Sequence, residues 1–199
     1  MPRSLVIIVP VFAAIAIACA SLEASARDNG IENLVLTRPV SVVSGSPNGA
    51  ALSALTDGNF LAAGTQRQTG TVWWGGTGAL FQIDLSQTCE IMGAIVQADN
   101  NDTYRMWYRD MGSNTYLELW TIGTVAGAGM RTRPNPGDNT AIHYFASSIF
   151  TDSIRIAAVG GDSAYSLSEV QVWGNVPAPA AAPHLGFAAL VGVGMRRAR

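Results

Sequence analysis

The 199-residue chain has no lysine, two histidines and two cysteines, and charged residues make up only 13% of it. Each shortage removes a class of chemistry. Cys19 falls in the N-terminal leader described below, so Cys89 is left alone and no disulfide framework can form. A lone thiol with no base near it in sequence reads as a small buried hydrophobe, not a nucleophile. A Ser-His-Asp triad would have to use His143, because His184 lies in the C-terminal tail, and no Gly-x-Ser-x-Gly elbow accompanies it. There is no His-Glu-x-x-His pair, no EF-hand spacing, no heptad run and no repeat of 20–50 residues. Positive charge is scarce as well: residues 27–179 hold eight arginines against thirteen acids, a net charge of −5. An acidic body without a basic stripe excludes nucleic acid as a partner, and electrostatic docking on anionic lipid with it.

What is present begins with two unusual ends. Arg3 precedes an uncharged apolar run over residues 5–18, and the small-x-small sites Ala18-Cys19-Ala20 and Ala24-Ser25-Ala26 follow. The run is shorter than the roughly 17–25 residues a spanning helix needs, and it has no polar face for a core helix. Residues 1–26 therefore read as a secretory signal peptide. At the other end, residues 175–199 hold a Pro/Ala linker beginning Val176-Pro177-Ala178-Pro179, a short apolar helix over 185–195 and the tail Arg196-Arg197-Ala198-Arg199. This three-part order resembles the PEP-CTERM sorting signal of Gram-negative bacteria, with Ala178 in the place of that motif's glutamate and Pro183-His184 at the start of the helix. The resemblance implies an exosortase-type processing enzyme as a partner and membrane contact through the C-terminal helix before processing. It also implies a cell-surface or extracellular destination.

Between the ends, short β-rich runs are punctuated by Gly, Asn, Asp and Pro. Strands are expected over 34–36, 40–43, 71–74, 80–85, 91–97, 104–108, 116–122, 142–145, 153–158 and 168–173, with one helical turn over 50–55 and loops over 123–129 and 129–134. Phe81, Ile83 and Leu85 alternate with Gln82 and Asp84, and Ile154, Ile156 and Ala158 oppose Arg155. Period-two alternation with one wet face marks antiparallel sheets. Many short strands without long helices predict an all-β antiparallel β-sandwich or jelly roll over residues 33–174, with the terminal hydrophobic helices outside it.

Five segments in order carry a second resemblance. Ala54-Leu55-Thr56-Asp57-Gly58-Asn59, Thr71-Val72-Trp73 and Phe81-Gln82-Ile83-Asp84-Leu85 are similar to the first half of a discoidin, or coagulation-factor type C, domain of the galactose-binding-like fold. Ser153-Ile154-Arg155-Ile156 and Leu167-Ser168-Glu169-Val170-Gln171-Val172-Trp173-Gly174 resemble its last two strands. The resemblance implies a structural calcium ion shared by Asp57 and Glu169 with backbone carbonyls, chemistry that suits an ion taking six to eight oxygen ligands. On the residues alone, Asp57 reads equally as a turn former before Gly58 and Glu169 as a solvated strand residue.

Candidate ligand-binding residues fall in three places. Asp99, Asn101 and Asp102 belong to the most polar run, which can serve sugar hydroxyls or simply close a hairpin. On the strand over 104–108, Tyr104, Met106 and Tyr108 share one face and Arg105 and Trp107 the other, which Arg105 marks as wet. Arg131 and Arg133 add donors in the loop over 129–134. These features predict an exported, non-enzymatic binding module for carbohydrate or exopolysaccharide. The alternatives are a structural envelope or matrix protein with no small ligand, and, more distantly, a glycan hydrolase using Asp99, Asp102 or Glu118.

Overall fold

The alternating runs form strands, and two pairs of expected strands turn out to be single long ones. The computed structural model describes residues 30–177. In chain order its elements are β1 (Glu32–Asn33), β2 (Val40–Ser44), β3 (Asn48–Gly49), a 3-10 turn (Leu52–Leu55), β4 (Val72–Gly75), β5 (Leu80–Asp99), β6 (Thr103–Arg109), β7 (Tyr116–Ile122), β8 (Met130–Arg133), β9 (His143–Gly160) and β10 (Ala164–Asn175). The 20-residue β5 and the 18-residue β9 each absorb two expected strands. Register shifts between Asp84 and Cys89 and between Ile91 and Gly93 bend their shared ladder.

Those bends divide one hydrogen-bonded sheet into two layers. In the first, the start of β5 lies between β2 and the end of β9, and β6 and then β7 follow. In the second, the end of β5 pairs with β10, which carries β4 and β3 and, at its own end, β1; β8 and the start of β9 lie on the other side of β5. Every one of these ladders is antiparallel. Apolar side chains of the inner faces meet between the layers. The Trp74 ring of β4 lies 5.0 Å from Phe81 of β5 and 6.3 Å from Tyr104 of β6, both edge-on, geometries that favour aromatic pairs. Cys89 is buried and free. Gly174 is required by close approach, since a Cβ there would stand 2.0 Å from the Glu90 carbonyl oxygen.

Three local expectations are corrected. Residues 34–36 form a turn, with the Arg38 N–H donating to the Val35 carbonyl at 2.9 Å, and the turn drives Leu34 and Val35 into the core. The helical turn is confined to Leu52–Leu55 and is 3-10 in type. Met130–Arg133, expected as a loop between Gly129 and Pro134, is strand β8 against the end of β5. The expected signal peptide over 1–26 lies outside the described residues, as does all of the expected sorting signal over 175–199 beyond residue 177. Among the described residues no helix is long and apolar enough to cross a membrane.

Candidate functional site

The polar run at the end of β5 points largely inward. Asp99 and Asp102 are both buried. The Asp102 carboxylate accepts the Asp162 N–H at 3.3 Å and faces the Tyr104 hydroxyl at 3.4 Å, but that hydroxyl is committed more closely to Ser166 O at 2.9 Å. Burial, reinforced by the charges of Asp162 and Asp99, pushes the Asp102 pKa up to about 6. Burial raises that of Asp99 as well, with the Asp162 charge adding to it. Gly161, at φ 142°, is what lets the chain close over this carboxylate: a Cβ there would sit 1.9 Å from Asp102 Oδ1.

Arg133 is also a corrected expectation. It is only 2% exposed, and its guanidinium donates to Gly123 O at 3.2 Å, Ala98 O at 2.7 Å, Arg131 O at 2.8 Å and Asp99 O at 2.5 Å. Such a group satisfies strand-end carbonyls and leaves little for a ligand. Arg131 is half-buried, with its guanidinium packed against Gly127. Asn101 is exposed and donates to Asp162 Oδ2 at 2.9 Å. Of the loop candidates, then, Asn101 and part of Arg131 reach solvent, while Asp99, Asp102 and Arg133 build the end of the sandwich.

The strand candidates behave differently. Tyr104 and Met106 are fully buried, whereas Arg105 and Trp107 stand on the outer face of the first layer, both half-buried. Arg105 Nε lies 3.3 Å from Glu118 Oε2, and its guanidinium carbon is 6.0 Å from the Trp107 ring centre. Beside them, Arg155 of β9 donates through Nε to Gln82 Oε1 at 2.9 Å and lies 3.7 Å over the Tyr116 ring. The Tyr116 hydroxyl donates to Gln82 Oε1 at 3.0 Å and lies 2.9 Å from Ser153 Oγ. Ser153 Oγ donates in turn to Asp84 at 2.9 Å. Alternation had already put Gln82, Asp84 and Arg155 on wet faces; sequence reasoning did not include them or Tyr116 in the site because strand order is not written in periodicity.

The charge of Asp57 reaches Glu169, and Glu169 is not a solvated strand residue. Glu169 is fully buried; Oε1 accepts Gln171 Nε2 at 3.1 Å, and Oε2 has no hydrogen-bond partner. Burial raises its pKa to about 8 against the pull of the Gln171 amide and the Gly58 N–H, and the Asp57 charge contributes to the rise. Asp57 is exposed and accepts the Asn59 N–H at 2.8 Å. An orphaned buried carboxylate oxygen that feels the charge of a second acid suits a hard cation completed by carbonyls. Among the described residues no three His, Cys, Asp or Glu side chains cluster around a metal position.

His143 stacks on Trp120 at 4.3 Å, with Phe145 edge-on at 5.9 Å. Burial lowers its pKa, and it has no Ser or carboxylate hydrogen-bond partner among the described residues, so a triad is not assembled there. Next to it lies an apolar groove of about 460 Å³ lined by Leu119, Tyr144, Phe145 and Ile149. Glu118, on β7, is exposed and paired to Arg105, whereas Asp99 and Asp102 are buried.

No family model and no curated protein matches the sequence. Among solved structures, the family 32 carbohydrate-binding module of Clostridium perfringens NanJ, in complex with galactose, is similar to this chain with a TM-score of 0.51 and 13% identity, over 72% of this chain and 98% of that one. The family 32 carbohydrate-binding module of Streptococcus pneumoniae EndoD is similar with a TM-score of 0.51 and 10% identity, over 72% of this chain and all of that one. The all-β, galactose-binding-like jelly roll expected from the sequence is the architecture these modules share with it.

Proposed function

We propose that the chain is an exported, non-catalytic carbohydrate-binding module that holds glycan on the open face of its first layer. The observation that carries this reading is the pairing of Arg105 and Trp107 on a strand whose opposite face buries Tyr104 and Met106 completely. A sugar offers C–H faces to an aromatic ring and hydroxyls to planar polar groups. Trp107 supplies the first; Arg105, Arg155, Gln82 and Glu118 supply the second. The fold held in common with carbohydrate-binding modules supports the reading by analogy. A glycan array probed with the wild type and with Trp107→Ala tests it: specific signals that vanish in the variant are expected, and an array without signal overturns it.

Three further elements belong to this proposal. The leader over 1–26 directs export, and the signal over 175–199 engages an exosortase-type enzyme and, before cleavage, the membrane. Exopolysaccharide of the producing cell's own matrix is the expected glycan. Asp57 and Glu169 hold a structural calcium ion, which would supply the positive charge that Glu169 Oε2 lacks.

A second reading, a matrix protein that assembles without a small ligand, draws on one observation. The groove lined by Leu119 of the edge strand β7 includes the exposed Tyr144. Sedimentation of the purified protein separates the two readings, because concentration-dependent assembly with an empty glycan array favours the scaffold.

A further inference from the structure

The open face carries more than a pair of residues. Five side chains from five neighbouring strands stand in one line across it. The register places Glu118 of β7 opposite Trp107 of β6, Trp107 opposite Arg155 of β9, Arg155 opposite Gln82 of β5, and Gln82 opposite Ser41 of β2. Residues directly opposite in adjacent strands share a face, and four inter-strand steps make a row about 19 Å long. That is several times the width of one sugar ring.

We propose that this row binds the interior of an extended, uncharged polysaccharide laid across the strands, rather than a terminal sugar. The inference rests on the glycan reading given above. Three features of the row carry it. First, both ends of the row are edge strands: among the described residues β7 pairs only with β6 and β2 only with β5, so no further strand closes the row.

Second, the row is set before any ligand arrives. Arg155 is fixed by Gln82 below its Nε and by the Tyr116 ring 3.7 Å away, and Tyr116 is fixed by Gln82 and Ser153. Arg105 lies beside Trp107 and pairs with Glu118, Nε to Oε2 at 3.3 Å, without a hydrogen bond. Side chains already ordered lose little entropy on binding, which suits a ligand that makes many weak contacts.

Third, the charges on the face balance. Arg105 and Arg155 are matched by Glu118 and Asp84, on a body whose net charge is −5. A polyanion gains no net attraction here, whereas a hydroxyl-rich neutral chain finds alternating donors and acceptors. Glu118 accepts, the terminal N–H groups of Arg155 donate, and the Ser41 hydroxyl does both, while Gln82 is occupied in holding Arg155 and Tyr116.

The test uses electrophoresis of the purified protein through gels containing galactan, xylan or hydroxyethylcellulose, with alginate as the anionic comparison. Calorimetry follows with oligosaccharides of about two to six sugars prepared from the polymer that retards best. Retardation by a neutral polymer is expected, with affinity rising about tenfold or more as the oligosaccharide grows to about four sugars and then levelling. Trp107→Ala and Arg155→Ala should each weaken binding about tenfold or more. Trp107→Phe should retain part of it and guards against a folding defect, which melting curves of all variants would reveal. A monosaccharide bound as tightly as the polymer overturns the extended mode and leaves the glycan reading standing. Binding lost in Asn101→Ala but kept in Trp107→Ala does the same and moves the site to the loop end. Stronger retardation by alginate than by any neutral polymer overturns the uncharged class. No binding to any polymer or array glycan overturns the glycan reading itself.

Discussion

Trp107 and Arg155 are direct cross-strand partners on the outer face of β6 and β9, and the guanidinium of Arg155 lies over Tyr116, not over the tryptophan. The Trp107 ring is thus flanked by two arginines, Arg105 paired with Glu118 and Arg155 held by Gln82. This leaves an aromatic surface framed by hydrogen-bond donors. Arginine is required at 155 for its planar geometry. Arg155→Lys keeps the charge but loses both the Nε bond to Gln82 and the stacking on Tyr116. We expect that variant to lose about 1 kcal/mol of stability in urea denaturation and to bind glycan nearly as poorly as Arg155→Ala. Wild-type affinity in Arg155→Lys would show that charge alone matters at this position.

Much of this face was legible in the sequence, and the reasons why part was not are physical. Alternation around Phe81, Ile83 and Ile156 assigns Gln82, Asp84 and Arg155 to the wet side, as the structure shows for each. Period-two patterning fixes a face but not a neighbour, so the convergence of Gln82, Arg155 and Trp107 waits on strand order. The run Asp99-Asn100-Asn101-Asp102 misled for a different reason. Its polarity suggests exposure, yet the missing Cβ of Gly161 lets the β9–β10 turn close over Asp102. Arg133 misled likewise, because the need of Ala98, Asp99 and Gly123 carbonyls for donors is a property of the folded strand ends. The terminal signals depend only on composition and order, and their reading stands on the sequence.

The buried Asp102 makes stability depend on pH in a stated direction. Its pKa rises from about 3.8 to about 6 on folding, so the folded state holds a proton that the unfolded chain gives up. Stability from this group is complete below about pH 4 and is lost as pH rises toward 6. Asp99, raised in the same direction, adds to the slope. Urea midpoints measured from pH 4 to 7 should fall over this window in the wild type and fall less in Asp102→Asn. Identical slopes in the two proteins would place the titration elsewhere.

Processing at the two ends is checked in the native compartment. If the small-x-small sites are cleaved, N-terminal sequencing finds Ser21 or Arg27 first, and an intact Met1 or Pro2 terminus contradicts the leader. Deleting residues 176–199 should shift the protein from the membrane or surface fraction to simple release. Unchanged fractionation would show that the tail is not a sorting signal.

Calcium gives the strongest test of the link between the two halves of the chain. Asp57 lies just after the 3-10 turn, near the start of the sandwich, and Glu169 lies in its last strand. In the absence of a cation, Glu169 Oε2 is buried without a partner and its carboxyl is driven toward the neutral form, beside a second acid. An ion shared by the two reverses both effects. It supplies the orphaned oxygen with a ligand and turns the repulsion by Asp57 into joint coordination. An ion that binds only the folded state stabilises it by about 2.7 kcal/mol at a hundredfold excess over its dissociation constant. For a domain of this size that raises the melting temperature by roughly 5–10 °C. Tryptophan-fluorescence melts of the wild type, with calcium and after chelation, should differ by that amount. Glu169→Gln keeps the shape of the side chain, removes the buried charge and should melt alike in both conditions. Asp57→Ala should show the same insensitivity. A wild type indifferent to chelation, bound calcium having first been measured by atomic absorption, would remove the ion from the account and leave Glu169 a buried neutral acid.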